Sequence, residues 1–142
     1  MEQTDFPDEF ARGISNKQFI ENGIVTYQAF QFDANPERED SMKEASINWV
    51  DQEEAIQIAL HQKKDNGDLQ FKGGMALLKM SDVRFVLRSI SLEVLGFERA
   101  QLPENVYHGN ILLNDSAPNA IKKMVQNGLA LAAGTNIISL NE

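Results

Sequence analysis

An imidazole is the usual side chain for proton transfer near neutral pH, and this chain carries two, His61 and His108. His108 is the better placed. It lies in Glu104-Asn105-Val106-Tyr107-His108-Gly109-Asn110, after the Leu102-Pro103 turn and at the start of an expected strand. A general base needs a partner that orients it, and Glu104 or Asn105 is near enough in sequence to do so. Gly109 leaves room for a ligand to approach. Such a group would serve a small hydrolase or transferase centred on His108, with Glu104, Asn105 and Asn110 beside it. Against this, no nucleophile is spaced to partner His108, and a partly buried histidine bonded to backbone fits the same residues. His61 falls in the last turn of an expected helix, where a donor or cation complements the helix dipole. It is read as structural.

Other chemistries find little support. The chain has no cysteine, which excludes disulfides, thiolate metal ligands and cysteine nucleophiles. It has no His-x-x-x-His pair and no calcium-loop spacing, so no metal site is expected. Gly73-Gly74 sits between apolar, strand-like pieces without the glycine spacing of a phosphate loop or dinucleotide fold, and reads as a bulge. No Gly-x-Ser-x-Gly elbow occurs. No cofactor is expected.

The charge is unevenly spread. Residues 1–54 carry thirteen acids and four bases (4 − 13 = −9), whereas residues 55–142 carry eight acids and nine bases (9 − 8 = +1). An acidic segment repels phosphate backbones and attracts basic surfaces. The expected partner is therefore a protein with a basic surface, and nucleic-acid binding is not expected. The run from Asp33 to Lys43 has no periodicity, one proline and dense charge. It reads as a long exposed loop of the kind that carries function. Its acids Glu37, Glu39 and Asp40 are the candidate partner-binding residues.

The elements that must position these groups follow from patterning. A chain of 142 residues with 42% apolar content can bury one core without staples. Residues 1–9 read as a flexible acidic tail and residues 10–140 as one domain. Ser15 is the expected cap of a short helical turn through Ile20, ended by Asn22-Gly23. Ile24 to Phe32 reads as a strand, rich in β-branched and aromatic residues. Ala45, Ile47 and Trp49 alternate with Ser46 and Asn48, the period of a half-buried strand. Asp51 is the expected cap of a helix reaching Lys63-Lys64. Strands are expected at Leu69–Lys72, Met75–Met80, Ile90–Phe97, Tyr107–Leu113 and Asn136–Leu140. Ser81 and Asp82 are expected to start a short helix through about Arg88, and a longer helix is expected to be capped by Asp115 or Ser116 with Pro118 in its first turn and Ile121, Met124, Val125 and Leu129 in its apolar stripe. Gly128 is a weak point in that helix. Irregular alternation of strands and helices argues for an α+β fold, a mixed or mostly antiparallel sheet packed by two or three helices. No apolar run approaches the ~18 residues of a membrane span. The acidic N-terminus lacks the pattern of a signal peptide. A cytoplasmic location is expected, and a homo-oligomer is compatible with the sequence.

Arg12-Gly13-Ile14-Ser15, Asn22-Gly23, Ala29-Phe30, Ala45-Ser46-Ile47-Asn48-Trp49 and Leu102-Pro103-Glu104-Asn105 with Tyr107-His108 follow in order. Together they resemble a loose pattern in short uncharacterised bacterial proteins. The resemblance spans most of the chain, points to a bacterial source and implies no activity. The residues themselves favour a non-enzymatic binding or regulatory module of immunity, antitoxin or adaptor type. The alternative is the His108-centred enzyme.

Overall fold

The structure is a computed structural model that describes residues 7–38, 40, 42–50, 52, 54–90 and 94–139. Its strands are β1 (Glu9–Ile14), β2 (Ile20–Glu21), β3 (Ile24–Val25), β4 (Met42–Trp49), β5 (Gly74–Lys79), β6 (Leu95–Arg99), β7 (His108–Asn114) and β8 (Ile137–Ile138). Its helices are α1 (Glu54–Leu60), α2 (Met80–Val86) and α3 (Asn119–Ala133). Six strands form one sheet in the order β6-β7-β4-β1-β5-β8, and every pairing in it is antiparallel. The fold is α+β.

Register decides which side chains share a face, because directly opposed residues in an antiparallel pair point the same way. Phe10 opposes Trp49 and Leu78, while Ile111 opposes Ala45 and Phe97. These residues are buried on one face together with Val125 and Leu129 of α3. The sheet coils enough for Phe10 and Phe97, three strands apart in the sheet order, to bring their rings to 5.4 Å. On the other face, Ala11 and Met75 pack under Ile56, Ala59 and Leu60 of α1. Each fully buried Leu, Val or Phe on either face contributes roughly 1.5–3 kcal/mol.

Several expectations change. Phe10 lies in β1, the strand hydrogen-bonded to both β4 and β5, a strand the sequence pattern does not announce. Glu9 begins it, Pro7 is buried, and the Asp8 carbonyl accepts from the Met80 N–H at 2.8 Å. Ordered backbone therefore extends into the segment 1–9, of which residues 1–6 lie outside the described residues. Asn16, not Ser15, caps the short turn, accepting from the Gln18 N–H at 2.8 Å.

The strand expected from Ile24 to Phe32 stops at Val25, and a 3-10 turn at Tyr27–Ala29 follows. Arg12 explains part of this. It points from β1 into that segment and donates to the carbonyls of Ala29 (2.8 Å) and Gln31 (3.4 Å), and to that of Ser46 (2.8 Å). Carbonyls bent toward one guanidinium are not arranged for a ladder. Burial lowers the Arg12 guanidinium to about 10, with Asp33 opposing the shift, so it stays charged at neutral pH.

Of the strand expected at Leu69–Lys72, only the isolated bridge from Leu69 to Lys63 forms. α1 ends at Leu60, short of the lysines, and Asp51, its expected cap, lies outside the described residues. α3 runs unbroken through Gly128 and stops at Gly134, whose φ is 57°. Met124, expected inside, is 45% exposed, while Val125 and Leu129 are fully buried.

Candidate functional site

The acidic loop is not free. Asp33 and Glu44 exchange backbone hydrogen bonds of 2.8 and 2.9 Å, which joins its two ends. Closed surface loops of this kind are compact and commonly functional. From the middle of the loop Arg38 reaches onto the sheet. It donates to Glu44 (2.6 Å) and to both oxygens of Glu98 (2.9 and 2.8 Å), and its Nε donates to Asp40 (2.8 Å). Glu44 and Glu98 share a face across β7, because Glu98 opposes Asn110, Asn110 opposes Ser46, and Ser46 is two residues from Glu44. Asn110 adds a hydrogen bond of 2.8 Å to Glu98. The Glu98 hydrogen bond above all holds the Arg38 guanidinium well above its usual pKa, and the Arg38 hydrogen bond holds Glu98 below the ordinary carboxylate range.

One guanidinium thus ties the loop to two strands. Asp40, Glu44 and Glu98 all contact that one cation, leaving a surplus of acid at the clamp (1 − 3 = −2). Glu37 and Asp40 remain exposed at the surface, and Glu39 lies outside the described residues. Sequence reading picked out the exposed acids but missed Arg38, Glu44 and Glu98. The available signal was a single arginine in an acidic run, together with the same-face spacing of Glu44, Ser46 and Asn48.

His108 lies on that same face, opposite Asn48. Its Nδ1 is 2.8 Å from the Ala100 carbonyl. A carbonyl only accepts, so Nδ1 carries the proton and the neutral ring keeps its lone pair on Nε2. His108 lines a cavity of about 220 Å³ with Ser46, Asn48, Gln62, Gln70 and Glu104. Among the described residues no hydrogen bond joins Glu104 to His108.

Asn105 does not orient His108 through its side chain. The side chain is 1% exposed and donates to Asn48 (2.9 Å) and Gln62 (3.0 Å), while Asn48 donates to the Ala55 carbonyl (2.9 Å). These bonds clip the β6–β7 connection to β4 and α1. Tyr107 donates to Glu54 at 2.6 Å. Nor does Gly109 serve a ligand. A Cβ there would strike the Trp49 ring and the Glu98 carbonyl, and the Arg99 guanidinium lies 4.8 Å from the centre of that ring. Trp49, 2% exposed, is a core residue. His61 keeps its structural reading, with Nδ1 2.8 Å from the Gln57 carbonyl one turn back.

Comparison with protein-family models, with curated proteins and with solved structures finds no match. Among the described residues no three His, Asp or Glu side chains are grouped as metal ligands, and no helix is long and apolar enough to cross a membrane.

Proposed function

We infer that this protein is a non-enzymatic binding module that engages a partner with a basic surface, as immunity, antitoxin and adaptor proteins do. The contact surface is the clamped acidic loop, with Glu37 and Asp40 exposed and Glu44 and Glu98 behind them, and Glu39 of the same loop is the third candidate acid. One observation carries the reading: Arg38 ties the loop to β4 through Glu44 and to β6 through Glu98, while the carboxylates it contacts outnumber it. A loop already fixed loses little conformational entropy on binding, so charge complementarity is less offset by ordering. A cytoplasmic setting fits this reading.

The alternative is a small hydrolase or transferase at His108. It rests on the cavity that His108 shares with Ser46 and Glu104. It lacks an orienting carboxylate, since a backbone carbonyl takes that position.

Affinity capture from a bacterial host, with mass spectrometry, separates the two. The binding reading expects a basic protein retained by wild type and by His108→Ala, and released by the triple variant Glu37→Gln, Glu39→Gln, Asp40→Asn. A turnover abolished by His108→Ala, with capture indifferent to the acids, would overturn it.

A further inference from the structure

A sizeable cavity lies at the opposite edge of the sheet from the acidic loop. It has a volume of about 540 Å³ and is walled by Ile20, Leu60, Leu69, Phe71 and Ile137. That volume falls within the roughly 300–1,000 Å³ typical of small-molecule sites. Leu60 is buried, while Ile20, Leu69, Phe71 and Ile137 are only half-buried. Among the described residues the only charged side chains on its lining are Lys17 and Lys72. Both are exposed, and among the described residues neither makes an ion pair or side-chain hydrogen bond. In a chain of net charge −8, an apolar-walled cavity bordered by two such ammonium groups, with no carboxylate on its lining among the described residues, favours an anion.

The backbone at both lysines is fixed. Lys17 opens the turn capped by Asn16. Lys72 sits in a turn held by the Gly73 N–H on the Ile14 carbonyl (2.8 Å) and the Gly74 N–H on the Phe71 carbonyl (3.0 Å). Glycine is required in that turn. Gly74 has a φ of 89°, a Cβ on it would strike the Ile138 carbonyl, and one on Gly73 would crowd Ile14. The Gly73-Gly74 pair thus lets a cavity wall pass between β1 and β8.

We propose that this cavity binds a small amphipathic organic anion, with its apolar body against Ile20, Leu69, Phe71 and Ile137 and its carboxylate- or phosphate-type head between Lys17 and Lys72. The site is independent of the acidic loop, and neither proposal requires the other.

Calorimetric titration of the full chain tests this, using decanoate below its micelle concentration, with decanol and decyltrimethylammonium as neutral and cationic counterparts. Decanoate is expected to saturate a single site, with both counterparts weaker. Lys17→Gln with Lys72→Gln should weaken decanoate about tenfold or more, the equivalent of one or two charge-assisted contacts, while circular dichroism stays unchanged. Lys63→Gln with Lys64→Gln, which are outside the lining, should bind as wild type. Filling the cavity with Leu69→Trp should abolish binding. No saturable decanoate binding, equal binding of the cationic probe, or indifference to loss of Lys17 and Lys72 would each overturn the proposal.

Discussion

Arg38 and Glu98, sixty residues apart in sequence, form a two-point ion pair, NH1 to Oε2 at 2.9 Å and NH2 to Oε1 at 2.8 Å. Paired donors on paired acceptors fix direction as well as distance. The Arg38 side chain is 15% exposed and that of Glu98 31%, so the pair is worth more than an open surface contact and less than a buried one. Arg38→Ala should cost about 1–2 kcal/mol, between the typical exposed and buried values. Chemical denaturation measures the loss, and limited proteolysis should show new cleavage between residues 33 and 44.

Acid should remove the same interaction. The Glu98 pKa is lowered in the fold, chiefly by the Arg38 hydrogen bond, from a reference of 4.5. A carboxylate so shifted adds stability that is fully present above its unfolded pKa and is lost as pH falls through the folded one. Glu98→Gln should therefore be less stable than wild type at pH 7, and the difference should shrink as pH falls below about 4.5. Paired urea titrations across that range would show it, and a pH-independent difference would assign the loss to packing.

The interior of α3 offers a contrast of neighbouring residues. Leu129 is fully buried and Met124 is 45% exposed. Leu129→Ala should cost about 2–5 kcal/mol, and Met124→Ala less than about 0.5 kcal/mol. Equal losses would mean that Met124 is covered in solution.

Gly128 gives a prediction of sign. Helix propensity alone favours Gly128→Ala by roughly 1 kcal/mol. Yet a Cβ at this position would run into Leu87, where the segment after α2 meets α3. Overpacking of this kind costs about 1–3 kcal/mol, so the substitution should lower the melting temperature. A rise would show that Leu87 yields freely.

The comparison of sequence with structure turns on which residues interact locally. Asn22 and Gly23 were legible as a turn because positive φ is a local demand, and they adopt φ of 54° and 79°. β4, β5, β7 and α3 were legible from apolar period. β1 was not, because its inward face alternates Phe10, Arg12 and Ile14, and the charged residue is satisfied only by distant carbonyls. The same reason hid the clamp at the candidate site. Glu37 and Asp40 could be read as exposed acids, but nothing near Arg38 in sequence reveals that Glu98 receives it. His108 could be singled out by chemistry, whereas its hydrogen bond to Ala100 depends on the β6–β7 pairing.

On the proposed function, the clamped acidic loop drives association with a basic partner. The most direct test is the association rate of the captured partner, measured against ionic strength for wild type and for Glu37→Gln, Glu39→Gln, Asp40→Asn. Exposed charges act over roughly the 8–10 Å Debye length at ordinary salt, so they govern the rate of encounter more than fold stability. The wild-type rate should fall steeply with salt, and the triple variant should associate more slowly with a flatter dependence, at stability within about 0.5 kcal/mol. Identical rates and salt slopes for the two proteins would contradict it.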